Sequence, residues 1–360
     1  MYKAIASLAV VVISWILIYA IRLWAERHRI IDIPNQRSSH SRPTPRGGGL
    51  GIVIVCIAGW LFYAYLGTGV WRTLLPFSIG ALLIAGISWL DDLRSLPNWL
   101  RFSVHSVVAA LALINFGYWD TLSLPLFGEL NLGRLGIPIT FVWIVGLINA
   151  YNFMDGIDGI AGGQAVVAGI GWALLGWITH QPLVTVIGLL LAASSLGFLV
   201  HNWSPARIFM GDVGSAFLGY TFAVLPIIEF RADPRAVVVG ILLLWPFLFD
   251  SIFTFLRRLI HKENVFAAHR SHLYQRLTIA GYSHAFVSLL YIGLALIGLA
   301  LALARSRGIL GSQSAIIIAL PLLCFALWRY VIRSEHKRAK EAPTDIAMLG
   351  EPPQGLHLKP

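Results

Sequence analysis

An all-α, polytopic membrane protein with about eleven transmembrane helices is the fold this sequence predicts, its N-terminus outside and its C-terminus in the cytoplasm. Three observations carry that expectation. Of 360 residues, 57% are hydrophobic and only 12% charged, at a mean hydropathy of +0.74, which is more apolar surface than one soluble core hides. Apolar runs of spanning length recur at about 3–23, 50–66, 73–90, 99–116, 136–153, 160–178, 183–200, 213–229, 236–256, 283–304 and 313–331. Lys and Arg alternate in density from one connection to the next. If the first run crosses inward, 20 of the 27 fall on the cytoplasmic side and 7 outside, the asymmetry expected of cytoplasmic loops.

Taken in order, the first run is preceded by Lys3 and followed by Arg22, Arg27 and Arg29 without a small-residue cleavage site, so it reads as an anchor and not a cleaved signal. The formal charge of +10 follows from the cytoplasmic loops, and no nucleic-acid partner is implied. Cys56 and Cys324 sit in separate apolar runs and fit neither a disulfide framework nor a zinc motif. After about residue 334 the sequence (EHKRAKEAP, later PPQG) loses periodicity. The expected division is a membrane domain over 1–334 and a solvated, mobile tail over 335–360, with no internal repeat.

Polar clusters gather on the cytoplasmic connections. The central one is NAYNFMDGIDGIAGG, residues 149–163, which sets Asp155 and Asp158 among glycines between two apolar runs. A charge at bilayer depth costs at least ~2.5 kcal/mol, so such acids are functional candidates, the alternative being a capped polar turn. Before it come PNQRSSHSRPTPRGGGLG (34–51), whose glycines and Arg46 suit an anion or form a basic loop on anionic lipid, and the adjacent acids Asp91 and Asp92. That pair ends a helix against its own dipole. After it comes HNWSPARIFMGDVGSAFLG (201–219), in which Asp212 is either a ligand or an N-cap. Last comes the stretch from Asp250, which pairs with Arg257 in the structural reading, to His269, Arg270 and His272. These bring donors for phosphate oxygens, and no thiolate or carboxylate completes a zinc set around the histidines. Three Gly-rich helix starts at one face favour a polyphosphate, while the acids beside it require a divalent cation, Mg²⁺ or Mn²⁺ given oxygen ligands. The residues alone point to a metal-dependent phosphate-transferring enzyme at the inner membrane face with a lipid substrate.

The ordered motifs PNxRSSHxxPTPRGGG, LDD, NAxNxxDGxDGxAGG, NxxPARxFMGDxGS, PxxxD…RR and HRSH resemble the polyprenyl-phosphate N-acetylhexosamine-1-phosphate transferase family, also called glycosyltransferase family 4, over nearly the whole chain. The resemblance implies transfer of a sugar 1-phosphate from a UDP-sugar to a polyprenyl phosphate, commonly undecaprenyl phosphate, with release of UMP at the start of a cell-surface glycan. It makes Asn152 and Asp212 Mg²⁺ ligands and assigns Asp91 and Asp92 to catalysis and the lipid phosphate. Asp158, Asn202 and Phe209 match uridine-binding positions, Asp155 lines the same cleft, and Arg46 with His269, Arg270 and His272 holds the diphosphate. A homodimer is left open.

Two departures separate this chain from the phospho-MurNAc-pentapeptide transferase branch, which stays the alternative: the first loop lacks that branch's Lys pattern, and HRSH replaces its run of adjacent histidines. Both favour a simple UDP-N-acetylhexosamine. HRSHLYQ resembles O-antigen-initiating members and leaves GlcNAc, QuiNAc and FucNAc open. Direct attack by the lipid phosphate is the expected mechanism, because phosphoryl transfer is mostly positioning and charge neutralisation; an aspartyl-phosphate on Asp91 or Asp92 is the other route. From another class, a secondary transporter places its groups near the midplane on broken helices, whereas these acids lie at one face.

Overall fold

Each of the eleven apolar runs is a helix in the computed structural model, which describes residues 2–34, 39, 42–67, 69–265, 267 and 269–341. In chain order these are α1 (Tyr2–Arg27), α2 (Gly49–Tyr65), α3 (Trp71–Arg94), α4 (Asn98–Phe116), α5 (Gly136–Phe153), α6 (Ile160–Ile178), α7 (Pro182–Asn202), α8 (Asp212–Phe230) and α9 (Ala236–Ile260), then a short α10 (Leu273–Ile279), α11 (His284–Ser306) and α12 (Ser312–Glu341). Ten are long and apolar enough to cross a membrane, and α2, at 17 residues, is the shorter eleventh. The protein is an all-α polytopic membrane protein.

Helix α8 is the axis of the bundle: 89% of its most apolar window is buried, against 11% for α1, so α8 is clothed by protein and α1 faces lipid. It packs on α3, α5 and α9, and α6 packs on α7. Small residues let backbones approach, as lipid-embedded helices require. A Cβ on Gly49 would run into the backbone of Gly214, so the starts of α2 and α8 touch directly.

Some elements escape the periodicity. Strands β1 (Ile31–Asp32) and β2 (Thr44–Pro45) pair antiparallel in the first connection, and β3 (Thr121–Leu124) with β4 (Gly128–Asn131) form a hairpin at the far end. Helix α10 has only seven residues, too few for a span. Helix α12 continues to Glu341, past the boundary expected at 334, and Glu335 within it accepts two bonds of 2.7 and 2.6 Å from Arg276. Residues 342–360 of the expected tail, and 35–38, 40 and 41 of the first polar cluster, lie outside the described residues.

Candidate active site

The polar clusters meet at one end of the bundle. The chain after β2 runs beside residues 207–210: Phe209 N–H donates to the Pro45 carbonyl (2.8 Å), Gly47 and Gly48 N–H both donate to the Phe209 carbonyl, and Gly49 N–H donates to that of Met210 (2.9 Å). This corrects one expectation. The three glycine amides are spent on backbone carbonyls, so they do not wrap an anion. What the pairing achieves is to set Arg46 over the start of α8, where its guanidinium donates to Asp32 (2.9 Å) and Asp92 (3.4 Å). Burial works against that charge, but Asp32, Asp92 and Asp212 outweigh it and hold Arg46 protonated beyond the ordinary guanidinium range.

Asp92 explains its own awkward placement. At the end of α3 it opposes that helix's dipole, but its carboxylate, fully buried, accepts from Asp212 N–H and Val213 N–H, both at 3.0 Å, and so caps α8. Asp212 is accordingly not the N-cap; Gly211 is, and Asp212 is the first helical residue. Gly211 has φ +76° and lies where a Cβ would come within 2.7 Å of the Asp92 carboxylate, so any side chain there would displace the cap.

Asp91 turns the other way, accepting from Leu96 N–H and from Arg101 Nη1, and the same Nη1 reaches Asp212 Oδ2 at 3.1 Å. Asp212 also lies against Asp91 and Asn152. Asn152 donates from its amide nitrogen to Ser215 Oγ (3.0 Å), which leaves its oxygen able to accept or to ligate an ion. Arg101 is a site residue that no motif marks; its place near the start of α4, shortly after the paired acids, is its one trace in the sequence.

Asp155, in the turn after α5, makes no side-chain hydrogen bond or ion pair with any described residue. Burial, then the Asp212 and Asp92 charges, push its carboxyl well above the usual range. Asp91, Asp92 and Asp212 outnumber Arg46 and Arg101 even with the Asp155 carboxyl neutral, and oxygen donors in an anionic excess are what Mg²⁺ takes. Among the described residues no three acid, His or Cys side chains converge as a finished metal cage. An ionised Asp155 is disfavoured in the fold, so this one carboxyl costs the metal-free protein stability as pH rises above about 4. Asp155→Asn is expected to raise the thermal midpoint in EDTA at pH 7.5 by about 2–4 °C, read by intrinsic fluorescence. Mg²⁺ should stabilise wild type more than the variant, and an unchanged midpoint in EDTA would contradict this placement.

Beside the acids lies a second group. Asp158 accepts from Ala206 N–H (3.1 Å) and faces His284 Nδ1 at 3.4 Å. Burial opposes its ionisation, but His284, then Ala206 N–H and the Ser204 hydroxyl, hold the carboxyl below the usual range. Asn202 is buried with both amide atoms engaged, accepting from Gly159 N–H (2.9 Å) and donating to the Ile208 carbonyl (3.0 Å), so it braces the loop. Phe209 is half-buried in that loop. Against the same turn sits the last cluster: Tyr274 OH donates to the Phe153 carbonyl (2.9 Å), and the His269 and His272 rings lie 5.0 Å apart. Arg270 has a buried Nε without a described partner. Asp250 does not pair with Arg257, which faces Glu263; it bonds His272 across the chain.

Residues 74–229 match the model of glycosyl transferase family 4. A probable undecaprenyl-phosphate N-acetylglucosaminyl 1-phosphate transferase of Bacillus subtilis is 34% identical over 259 residues, 71% of each chain. A decaprenyl-phosphate N-acetylglucosaminephosphotransferase of Mycobacterium tuberculosis is 31% identical over 82% of this chain and 81% of its own. A phospho-N-acetylmuramoyl-pentapeptide-transferase of a Synechococcus strain is 30% identical over 66% of this chain and 71% of its own. Paired acids at the end of α3, the Asp155–Asp158 turn and Asp212 opening α8 stand together at one end of the bundle, and with these relatives the chain belongs to glycosyl transferase family 4, the polyprenyl-phosphate N-acetylhexosamine-1-phosphate transferases.

Proposed function

We propose that this protein transfers an N-acetylhexosamine 1-phosphate from a UDP-sugar to undecaprenyl phosphate, releasing UMP, at the cytoplasmic face of a bacterial cell membrane. The product opens synthesis of a cell-surface polysaccharide such as O-antigen. The observation that carries this reading is the junction of α3, α4 and α8, where Asp92 caps α8 and Arg101 links Asp91 to Asp212 beside Asp155, whose carboxyl has no side-chain partner among the described residues. The excess of basic residues on the connections at this end supports the cytoplasmic placement.

Bound between Asn152 and Asp212, Mg²⁺ would neutralise charge on the donor diphosphate. Arg46 and Arg270, with His269 and His272, take phosphate oxygens. Phe209 stacks on the uracil ring beside Asp158, while Asn202 keeps their loop in place. A phosphate monoester with a second pKa of ~6 is largely an anion at neutral pH and needs little help from a base. Asp91 and Asp92 are each committed to backbone amides and a guanidinium, which supports positioning roles and direct attack by the lipid phosphate over a covalent aspartyl-phosphate.

The Synechococcus relative supports a second donor, UDP-MurNAc-pentapeptide. HRSH at 269–272, in place of adjacent histidines, favours the simpler sugar. Purified protein with Mg²⁺ and undecaprenyl phosphate is expected to release UMP from a UDP-N-acetylhexosamine of a panel holding GlcNAc, QuiNAc and FucNAc. Release from UDP-MurNAc-pentapeptide alone would transfer the chain to the other branch, and release from none would end the proposal.

A further inference from the structure

Asp250 takes no part in the transfer proposed above, yet it is the most heavily bonded carboxylate among the described residues. It is fully buried on α9. Oδ1 accepts from Leu273 N–H (2.8 Å), Thr254 Oγ1 (3.1 Å) and His272 Nδ1 (3.2 Å), and Oδ2 accepts from Tyr291 OH (2.6 Å) and Tyr274 N–H (3.1 Å). A carboxylate surrounded by donors in this way acts only as an acceptor, so the hydrogen in its contact with the imidazole is carried by Nδ1. Nε2, on the other side of the ring, is then the unprotonated nitrogen. The ring itself is held between Asp250 and the turn that carries Asp155: it lies 6.4 Å from the Phe153 ring, 5.0 Å from His269 and 5.8 Å from Tyr274, whose hydroxyl bonds the Phe153 carbonyl.

A plain tie between α9 and α10 does not require a charge here, because a buried ion is costly and the nearest arginine on α9, Arg257, faces Glu263 instead. What an ionised carboxylate adds is control of the imidazole, as carboxylates do behind metal-bound and catalytic histidines. We infer that Asp250 is a positioning residue: it fixes the tautomer and orientation of His272, so that Nε2 faces the cleft beside Asp155. The inference rests on the transferase reading for what Nε2 then does, which is to meet an oxygen of the donor's diphosphate. The tautomer itself is independent of that reading.

The test therefore has two readouts. With ¹⁵N-histidine labelling in nanodiscs at pH 8.5, the resonance missing in His272→Gln should have the shift of an Nδ1-protonated ring in wild type and lose that signature in Asp250→Asn. An Nε2-protonated ring in wild type overturns the inference whatever the enzyme's activity. In UMP-release kinetics, Asp250→Asn and His272→Gln are each expected to lower kcat about 10–100-fold, with KM for the lipid within about twofold. The double variant should be no more than about threefold slower than the slower single one, because the two residues act as a unit. Multiplying losses would mean Asp250 works independently of His272. Tyr291→Phe removes one contact to Asp250 and none to the imidazole, so it should keep kcat within about threefold; a loss as large as that of Asp250→Asn would make the carboxylate a structural anchor and overturn the inference. Wild type that shows the Nδ1 signature and releases no UMP would instead count against the transferase reading alone.

Discussion

Asp212→Asn is expected to lower kcat/KM at least about a thousandfold, roughly 4 kcal/mol of transition-state stabilisation, with little change in the fold. The geometry separates these two effects. The Asp212 side chain caps nothing: its backbone N–H is the donor to Asp92, and its carboxylate meets Arg101 and lies against Asp91 and Asn152. Asparagine keeps the shape and the backbone bond while removing the charge that would bind the cation. Asp212→Glu should fail as well, because Mg²⁺ demands near-octahedral geometry at ~2.0–2.1 Å. Steady-state UMP release at saturating Mg²⁺, beside a thermal midpoint within a few degrees of wild type, checks both halves. Near-normal turnover of Asp212→Asn would leave the residue with only its ion pair to Arg101.

Asp92→Asn should damage both activity and stability, and the activity defect should be the same at every pH. The carboxylate uses one oxygen on Asp212 N–H and Arg46, the other on Val213 N–H. An amide replaces one acceptor with a donor, so one amide of α8 loses its partner and Arg46 loses a counter-charge, at a cost of about 1–3 kcal/mol in stability. With the start of α8 disturbed, Asp212 is misplaced and kcat falls, by at least about tenfold for a shift of this kind. A general base would behave differently: its loss would matter most at low pH, where the monoester still carries its proton, and fade above ~pH 8. A covalent nucleophile would exchange labelled UMP into the UDP-sugar without lipid. A pH-independent defect without exchange is the expected result, and a defect confined to low pH would return Asp92 to the role of base.

Local signals in the sequence predict the spans well because each apolar run is long and the glycine- and proline-rich junctions are sharp, as at residues 136–153 and 160–178, where run and helix coincide. Parity of the basic residues then gathers the right clusters at one end. What local reading misses is long-range pairing. Gly47, Gly48 and Gly49 look like an anion loop until Phe209 and Met210 supply carbonyls for their amides from far along the chain. Asp250 reads as a partner for Arg257 two turns on, whereas tertiary packing brings His272, Tyr274 and Tyr291 to it. The unfavourable position of Asp91 and Asp92 marks them as special, but the reason for Asp92 is another helix's N-terminus. Arg101 and His284 are invisible in motif terms because each opens an ordinary apolar helix, and only the fold turns them towards Asp91 and Asp158.

The central claim, that this end of the bundle moves a sugar together with its phosphate, is tested most directly by following the β-phosphorus. Purified protein would be given UDP-N-acetylhexosamine carrying ³²P in the β position, Mg²⁺ and undecaprenyl phosphate, and the lipid-extractable label would be compared with the nucleotide released. The expected result is label in the lipid fraction in a one-to-one ratio with UMP, and none without the lipid acceptor. Release of UDP with the label left in the aqueous phase, or uptake of intact UDP-sugar by sealed vesicles with no UMP formed, would contradict it.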